Sequence, residues 1–579
     1  MQTADRLPFV SLRGALGAVV AALVLFVGAA PASAQDDWGD EGGWGDDDGG
    51  WGDEGDWGDE GDWGDDGGTG DDWGSDDGYG YEEPVAAPVV SEPDPQIAAY
   101  LQEGIAYYEA DDFLSASIFF WRVVNDPSPG ADGVRPRAQY ELAKTLVKMS
   151  VLQGALYWFD EIIATGPSHP YFEASAPWLV VIARRLPGDV EMLRRVAAFA
   201  DLFPDRIEEK YRDEMAYLLG QHFYNVGELD RALQFLGFVS EVSPYYPRAL
   251  FLAGISHIRL YEEIPALTRF NQLQDITERS RDRELRDLHE LTQLSMARTY
   301  YSAGDYGNAI DFYAEIPQSS EYWLDALFES SWAYFQRDEY NRALGNLHSL
   351  NSPFFNDEYY PEAPILQAVN FFMNCRFDET RATLDEFEFV YGPLREELES
   401  TMDGLDSNAD HYEFLVELRD ESDSRRFDPK LSQIVSAALS DRTVVNSLDF
   451  IAELDRELRY LETVDPGWSN SDLAQYLSAE ILTTRDLSIG DAGSLVRNRL
   501  ENIRDELARY ERDASAILVE TDLAEADAIS SDLRSELYTG ESDRAGTTAT
   551  REQMFWEFDG EYWKDELGFY YYHITSACR

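Results

Sequence analysis

The feature that most limits how this chain can fold is a repeat of 34 residues: Gly220 is answered by Gly254, Ala232 by Ala266, Tyr300 by Tyr334 and Ala309 by Ala343. Phe270 takes the place of Leu236 in the same register. A period of this length carries one helical hairpin, which cannot bury its apolar side alone and must stack on its neighbours. The residue types fit that use. A small residue lets two helices approach, a large one locks them, and Gly in the turn supplies a backbone conformation that other residues adopt at a cost. A chain of 579 residues built this way grows by addition and needs no single round core.

The turn between the paired helices is spelled YNVGELDRAL, YSAGDYGNAI and YFQRDEYNRAL. With these words and the period, the chain resembles the tetratricopeptide repeat family over about residues 97–393. Weaker units carry Gly104, Tyr107, Ala116 and Phe120; Leu142, Ala143, Ala155, Phe159 and Pro167; and Ala368, Phe371, Phe377, Leu384 and Phe387. Residues 170–212 leave room for one divergent hairpin ending near Pro204, and the charged run Arg279 to Asp287 implies a lengthened helix or an insertion. The resemblance implies an all-α superhelix of helical hairpins and a groove lined by the first helix of each pair. The matched groove positions are Tyr217, Gln221, Tyr224, Phe251, Ile255, Ile258, Leu294, Arg298, Tyr301, Phe328, Trp332, Phe335, Ile365, Val369 and Phe372. That face is apolar and aromatic, suited to a protein segment. Arg298 alone resembles the basic clamp with which some members hold a terminal carboxylate. The competing reading is that these side chains contact the next hairpin and are core.

The flanks differ in kind. Arg6 and Arg13 precede an apolar run from Ala15 to Ala30 and then Ala32-Ser33-Ala34, the order of a signal peptide (1–34) cleaved after Ala34. No Cys follows the run to take a lipid, and no later stretch is apolar enough to span a bilayer, so we expect an exported, periplasmic chain without membrane insertion once mature. Residues 35–83 form an Asp/Gly/Trp-rich tract with Trp51, Trp57 and Trp63 evenly spaced, and such dense like charge predicts disorder. The tract is a tether, a set of Trp stickers for a basic partner, or a weak Ca²⁺ binder, although its spacing matches neither an EF-hand nor a nonapeptide calcium repeat. Residues 84–96 read as a Pro-rich linker.

Residues 394–540 read as helical without repeats. Val496, Leu500, Ile503, Leu507, Tyr510, Ala514 and Ile517 step by 4 and 3, a heptad seam, and Leu448 to Leu461 mark a helix able to pack antiparallel to it. The seam either closes the array internally or makes a homodimer. The segment 541–579 is dense in aromatics, among them Phe555, Trp556, Phe558, Tyr562, Trp563 and Phe569 to Tyr572, and an exposed tail of that kind invites aggregation, so it should be docked. Cys375 falls in the turn of the last recognisable repeat, where a returning tail could bring Cys578; two free thiols are the alternative.

Chemistry is sparse. The net charge of −65 repels nucleic acid and anionic lipid and favours basic proteins or divalent cations. The histidines lack zinc-site spacing, and phosphate-binding loops and nucleophile elbows are missing, so no metal, cofactor or catalytic residue is assigned. The expected function is a non-catalytic envelope scaffold for protein–protein interaction, with layout similar to exported repeat proteins of motility and secretion complexes. A self-filled assembly protein and an envelope hydrolase with a helical repeat domain are the alternatives. Intact mass of the exported chain should correspond to a start at Gln35.

Overall fold

The computed structural model describes residues 94–186, 196–202, 207, 209–355, 358–419, 435, 439, 442–535 and 560–578. The signal peptide, the acidic tract, most of the linker and Phe555, Trp556 and Phe558 lie outside the described residues. Among those residues every regular element is helical. Seven hairpins occur there: α1 (Pro95–Glu109) with α2 (Phe113–Val124), α3 (Arg135–Lys148) with α4 (Leu152–Thr165), α6 (Glu209–Asn225) with α7 (Leu229–Leu236), α8 (Tyr246–Arg259) with α9 (Glu263–Thr277), α10 (Arg283–Ser302) with α11 (Tyr306–Glu315), α12 (Trp323–Gln336) with α13 (Tyr340–Leu350), and α14 (Glu362–Met373) with α15 (Phe377–Met402). The helix α5 (Phe172–Ala183) stands in the divergent stretch. After the hairpins come α16 (Asn408–Arg419), α17 (Arg442–Thr463) and the 64-residue α18 (Asp472–Ser535).

Each hairpin repeats one internal grammar. A small residue on the first helix (Gly104, Ala143, Gly220, Gly254, Ala297, Ser331 or Ala368) is followed sixteen positions later by a large one (Phe120, Phe159, Leu236, Phe270, Tyr313, Leu347 or Leu384), and all of them are buried. Between them Ala116, Ala155, Ala232, Ala266, Ala309, Ala343 and Thr380 have no exposed surface at all. At Gly254 a Cβ would collide with the Phe270 ring. Helix spacing is therefore set by side-chain volume at three positions.

The turns are equally uniform. Asp111, Ser150, Gly227, Tyr261, Gly304, Asp338 and Cys375, each seven residues after the small position, have φ between 56° and 81°. The next residue's N–H reaches back five residues, as in Asp112 to the Tyr107 carbonyl (2.9 Å), Glu228 to Phe223 (2.8 Å) and Arg376 to Phe371 (3.0 Å). This is a Schellman cap, which satisfies carbonyls that the helix end would leave open. Asp112 and Asp305 then cap the second helices, accepting from the Ser115 and Asn308 amides. The run from Arg279 is accounted for by α10, whose 20 residues lengthen that hairpin.

The described residues fall into two compact units: 94–185 with 459–479, and 186–458 with 480–578. In the former, Trp468 is buried and its indole N–H donates to Ser117 Oγ at 2.9 Å, while Tyr476 packs among Trp121, Tyr157 and Trp158. In the latter, α17 and the later part of α18 run antiparallel: Val444 shares a core with Val496 and Leu500, and Asp455 pairs with Arg485 at 2.5 Å. Ala266→Leu inserts three carbons where no space exists and should cost about 1–3 kcal/mol by overpacking, read as a lowered urea midpoint.

Candidate functional site

The groove positions of α6, α8 and α10 are mostly covered by neighbouring hairpins. Tyr217 stacks on Tyr245 (5.7 Å between rings) in a core with Ala249 and Ala253, and Leu294 is buried with Ala326 of the next pair. Tyr224 lies under the Arg259 guanidinium, 4.7 Å from the ring, and Arg259 also donates to the Tyr224 carbonyl. Phe251 meets Phe270, and Ile255 is buried; Gln221 and Ile258 are half-buried. Arg298 makes a two-pronged ion pair with Glu329, whose other oxygen accepts from the Tyr313 hydroxyl at 2.8 Å. That guanidinium is engaged within the chain, between α10 and α12.

Toward α12 and α14 the same face is filled by α18. Trp332, Phe335, Ile365 and Val369 share one core with Leu384 and Phe387 of α15 and with Tyr510, Ala514 and Ile517 of α18; Tyr301 and Phe328 pack at its edge. Phe328 also meets Tyr360, and Phe372 is buried against Phe377. Leu394, Leu398, Phe414 and Leu415 hold the earlier seam residues Val496, Leu500, Ile503 and Leu507. All seven seam residues are thus buried inside the chain, none more than 6% exposed. Rim charges fix the register: Arg381 pairs with Asp522 (3.0 Å) and Glu525, and Arg395 with Glu511 (2.6 Å).

Sequence reasoning missed the polar centre of this contact, because the partners are far apart in the chain. The Tyr510 hydroxyl lies 3.0 Å from Glu362 Oε2 and 3.0 Å from Glu506 Oε1, and Arg509 donates to it at 2.9 Å. A hydroxyl has one proton to give, so the second carboxyl contact needs a proton of its own. Burial supplies the reason: it pushes Glu362 up to about 7, and it raises Glu506 and Asp513 as well.

The two cysteines are brought together. Cys375 and Cys578 form a disulfide with Cα atoms 5.1 Å apart, closing 203 residues of sequence separation. Among the described residues no group of three His, Cys, Asp or Glu could hold a metal ion, and no helix is long and apolar enough to cross a membrane. His222 and His257, about one repeat apart in the chain, have separate surroundings: His222 is buried and His257 contacts Glu262 at 2.8 Å.

No protein-family model and no curated protein matches the chain. Solved structures similar to parts of it include a tetratricopeptide repeat protein from Parabacteroides merdae, 13% identical over 51% of this chain and 93% of that one, with a TM-score of 0.23. A thermophilic TPR protein of Thermus thermophilus is 18% identical over 41% and 99%, with a TM-score of 0.17. The apo form of RapI is 14% identical over 63% and 98%, with a TM-score of 0.32. The hairpin grammar of this chain, and not these likenesses, carries the conclusion that the fold is a tetratricopeptide-type array.

The acid pair should make α18 docking proton-linked. Glu362 binds its proton more tightly folded than unfolded, so its contribution is fully present below about 4.5 and is lost as pH rises through about 7. Stability to urea should fall between pH 5 and pH 8, and Glu362→Gln should flatten part of that slope, with Glu506 and Asp513 retaining the rest.

Proposed function

We propose that the chain is a non-catalytic scaffold of the cell envelope: an exported tetratricopeptide-type array that binds other proteins and is braced by its own C-terminal helix. The observation that carries the reading is the burial of the heptad seam against α12, α14 and α15. A repeat array closed in this way is a stiff platform, since each hairpin is fixed by its neighbours and the last ones by α18. Partners then meet the array on surfaces that α18 leaves open. The acidic tract adds a polyanionic element that favours partners with basic flanks. Burial of all seven seam residues within the chain weighs against homodimerisation through them.

The test uses the full mature chain crosslinked in intact envelopes, compared with a form lacking residues 36–83. The reading expects envelope-complex subunits to be recovered with the intact chain and to be depleted without the tract. Recovery of general chaperones alone would overturn it. Light scattering of the full chain should give a monomer mass, and a dimer dispersed by Leu500→Glu would restore the assembly alternative.

A further inference from the structure

Gly345 stands at the middle of α13, away from either end of the helix. Glycine is a poor helix former, so its place needs a reason. The three atoms nearest to a Cβ built at Gly345 all belong to the returning tail, and that Cβ would collide with the Tyr570 carbonyl. The helix is stripped of its side chain where the tail's backbone lies against it. Around this point the contacts are those of an extended peptide on a prepared face. Tyr572 N–H donates to the Asn341 carbonyl (3.0 Å), and Ile574 N–H donates to Asn341 Oδ1 (3.2 Å). Asn341 Nδ2 donates to the Tyr571 hydroxyl (2.8 Å), Gly568 N–H to Ser349 Oγ (2.8 Å), and Ala577 N–H to the Asn374 carbonyl (2.9 Å). The His348 ring stacks on Tyr562 with centroids 4.8 Å apart, and Leu567 is buried.

We propose that this face of α13, with the α14–α15 turn, is a peptide-recognition site whose ligand is the chain's own C-terminal segment, and that recognition precedes and directs the bond between Cys375 and Cys578. It lies apart from the face filled by α18 and does not depend on the scaffold reading. Docking of Tyr570 to Ala577 delivers Cys578 to Cys375, which occupies the left-handed position of its turn (φ 56°). Oxidation then locks the ligand: two thiols pass two electrons to a disulfide oxidant such as oxidised glutathione, and their two protons appear on the two reduced glutathione thiols. A dithiol reductant reverses the step and leaves a tail held by non-covalent contacts alone, able to exchange with another aromatic peptide of the same kind.

Two measurements on the full mature chain decide the matter. In Cys578→Ser the tail should stay protected, with chymotrypsin cutting at Tyr570 to Tyr572 at least tenfold more slowly than in the urea-unfolded chain. In glutathione buffers, maleimide gel shift gives the effective concentration of the thiol pair. Gly345→Ala should lower it at least tenfold while the melt of the array in reducing buffer is unchanged or raised. A tail cut as fast as unfolded chain, or a Gly345→Ala chain that closes as readily as the parent, overturns the proposal. Asn341→Ala, at a half-buried position, gives the same readout with little risk to folding and should lower closure severalfold.

Discussion

The contact on which the rest of this structure depends is the small residue of one helix set against the large residue sixteen positions later. Gly254 under Phe270 shows its tightness, since a single methyl group would enter the ring. Because that contact fixes how close the paired helices run, it also fixes where the turn must reverse the chain. The left-handed residue falls seven positions after the small one in every described hairpin, whether it is Gly227, Asp338 or Tyr261. Left-handed backbone costs a non-glycine residue of order 1 kcal/mol, and the Schellman bonds offset that cost at five of the seven turns. Packing therefore dictates the turn, and glycine there is a convenience.

A stack of such hairpins has an end, and an end presents an apolar face with nothing to cover it. Repeat arrays need a cap for that reason. Here α15 runs on through Pro393 to Met402, and α18 lies along it with Leu384, Phe387, Leu394 and Leu398 buried between them. The tail closes a different side of the last pairs through α13 and the Cys375 turn. One C-terminal region thus supplies two covers, a helix with an apolar seam and an extended strap fastened by a covalent bond.

The repeat, its turns and the heptad seam were legible in the sequence because each rests on local spacing: 34 residues between hairpins and alternating steps of 4 and 3 along one helix. What fills the face of α12 and α14 was not legible. Trp332 and Tyr510 are joined by no spacing rule, and an apolar groove residue looks the same whether its cover is a partner or a helix far along the same chain. The Glu362, Glu506 and Tyr510 cluster was hidden by composition, since in a chain with 111 acidic residues no single pair stands out. Gly345 did leave a signal: a glycine in mid-helix with no role in a turn marks close approach by another backbone.

The contact between α18 and the array joins strong and weak elements in a definite order. The apolar seam supplies most of the adhesion, because buried aliphatic and aromatic area is the dominant favourable contribution. Exposed ion pairs such as Arg381 with Asp522 are worth little each and serve to set register. At the centre, two carboxyls share one tyrosine hydroxyl beside one arginine, an excess of acid in a desolvated place. A purely apolar centre would hold the helix more tightly and independently of pH. With the acid pair in place, the seam holds the brace and the buried carboxyls add a contact that favours their protonated form, because burial raises both Glu362 and Glu506.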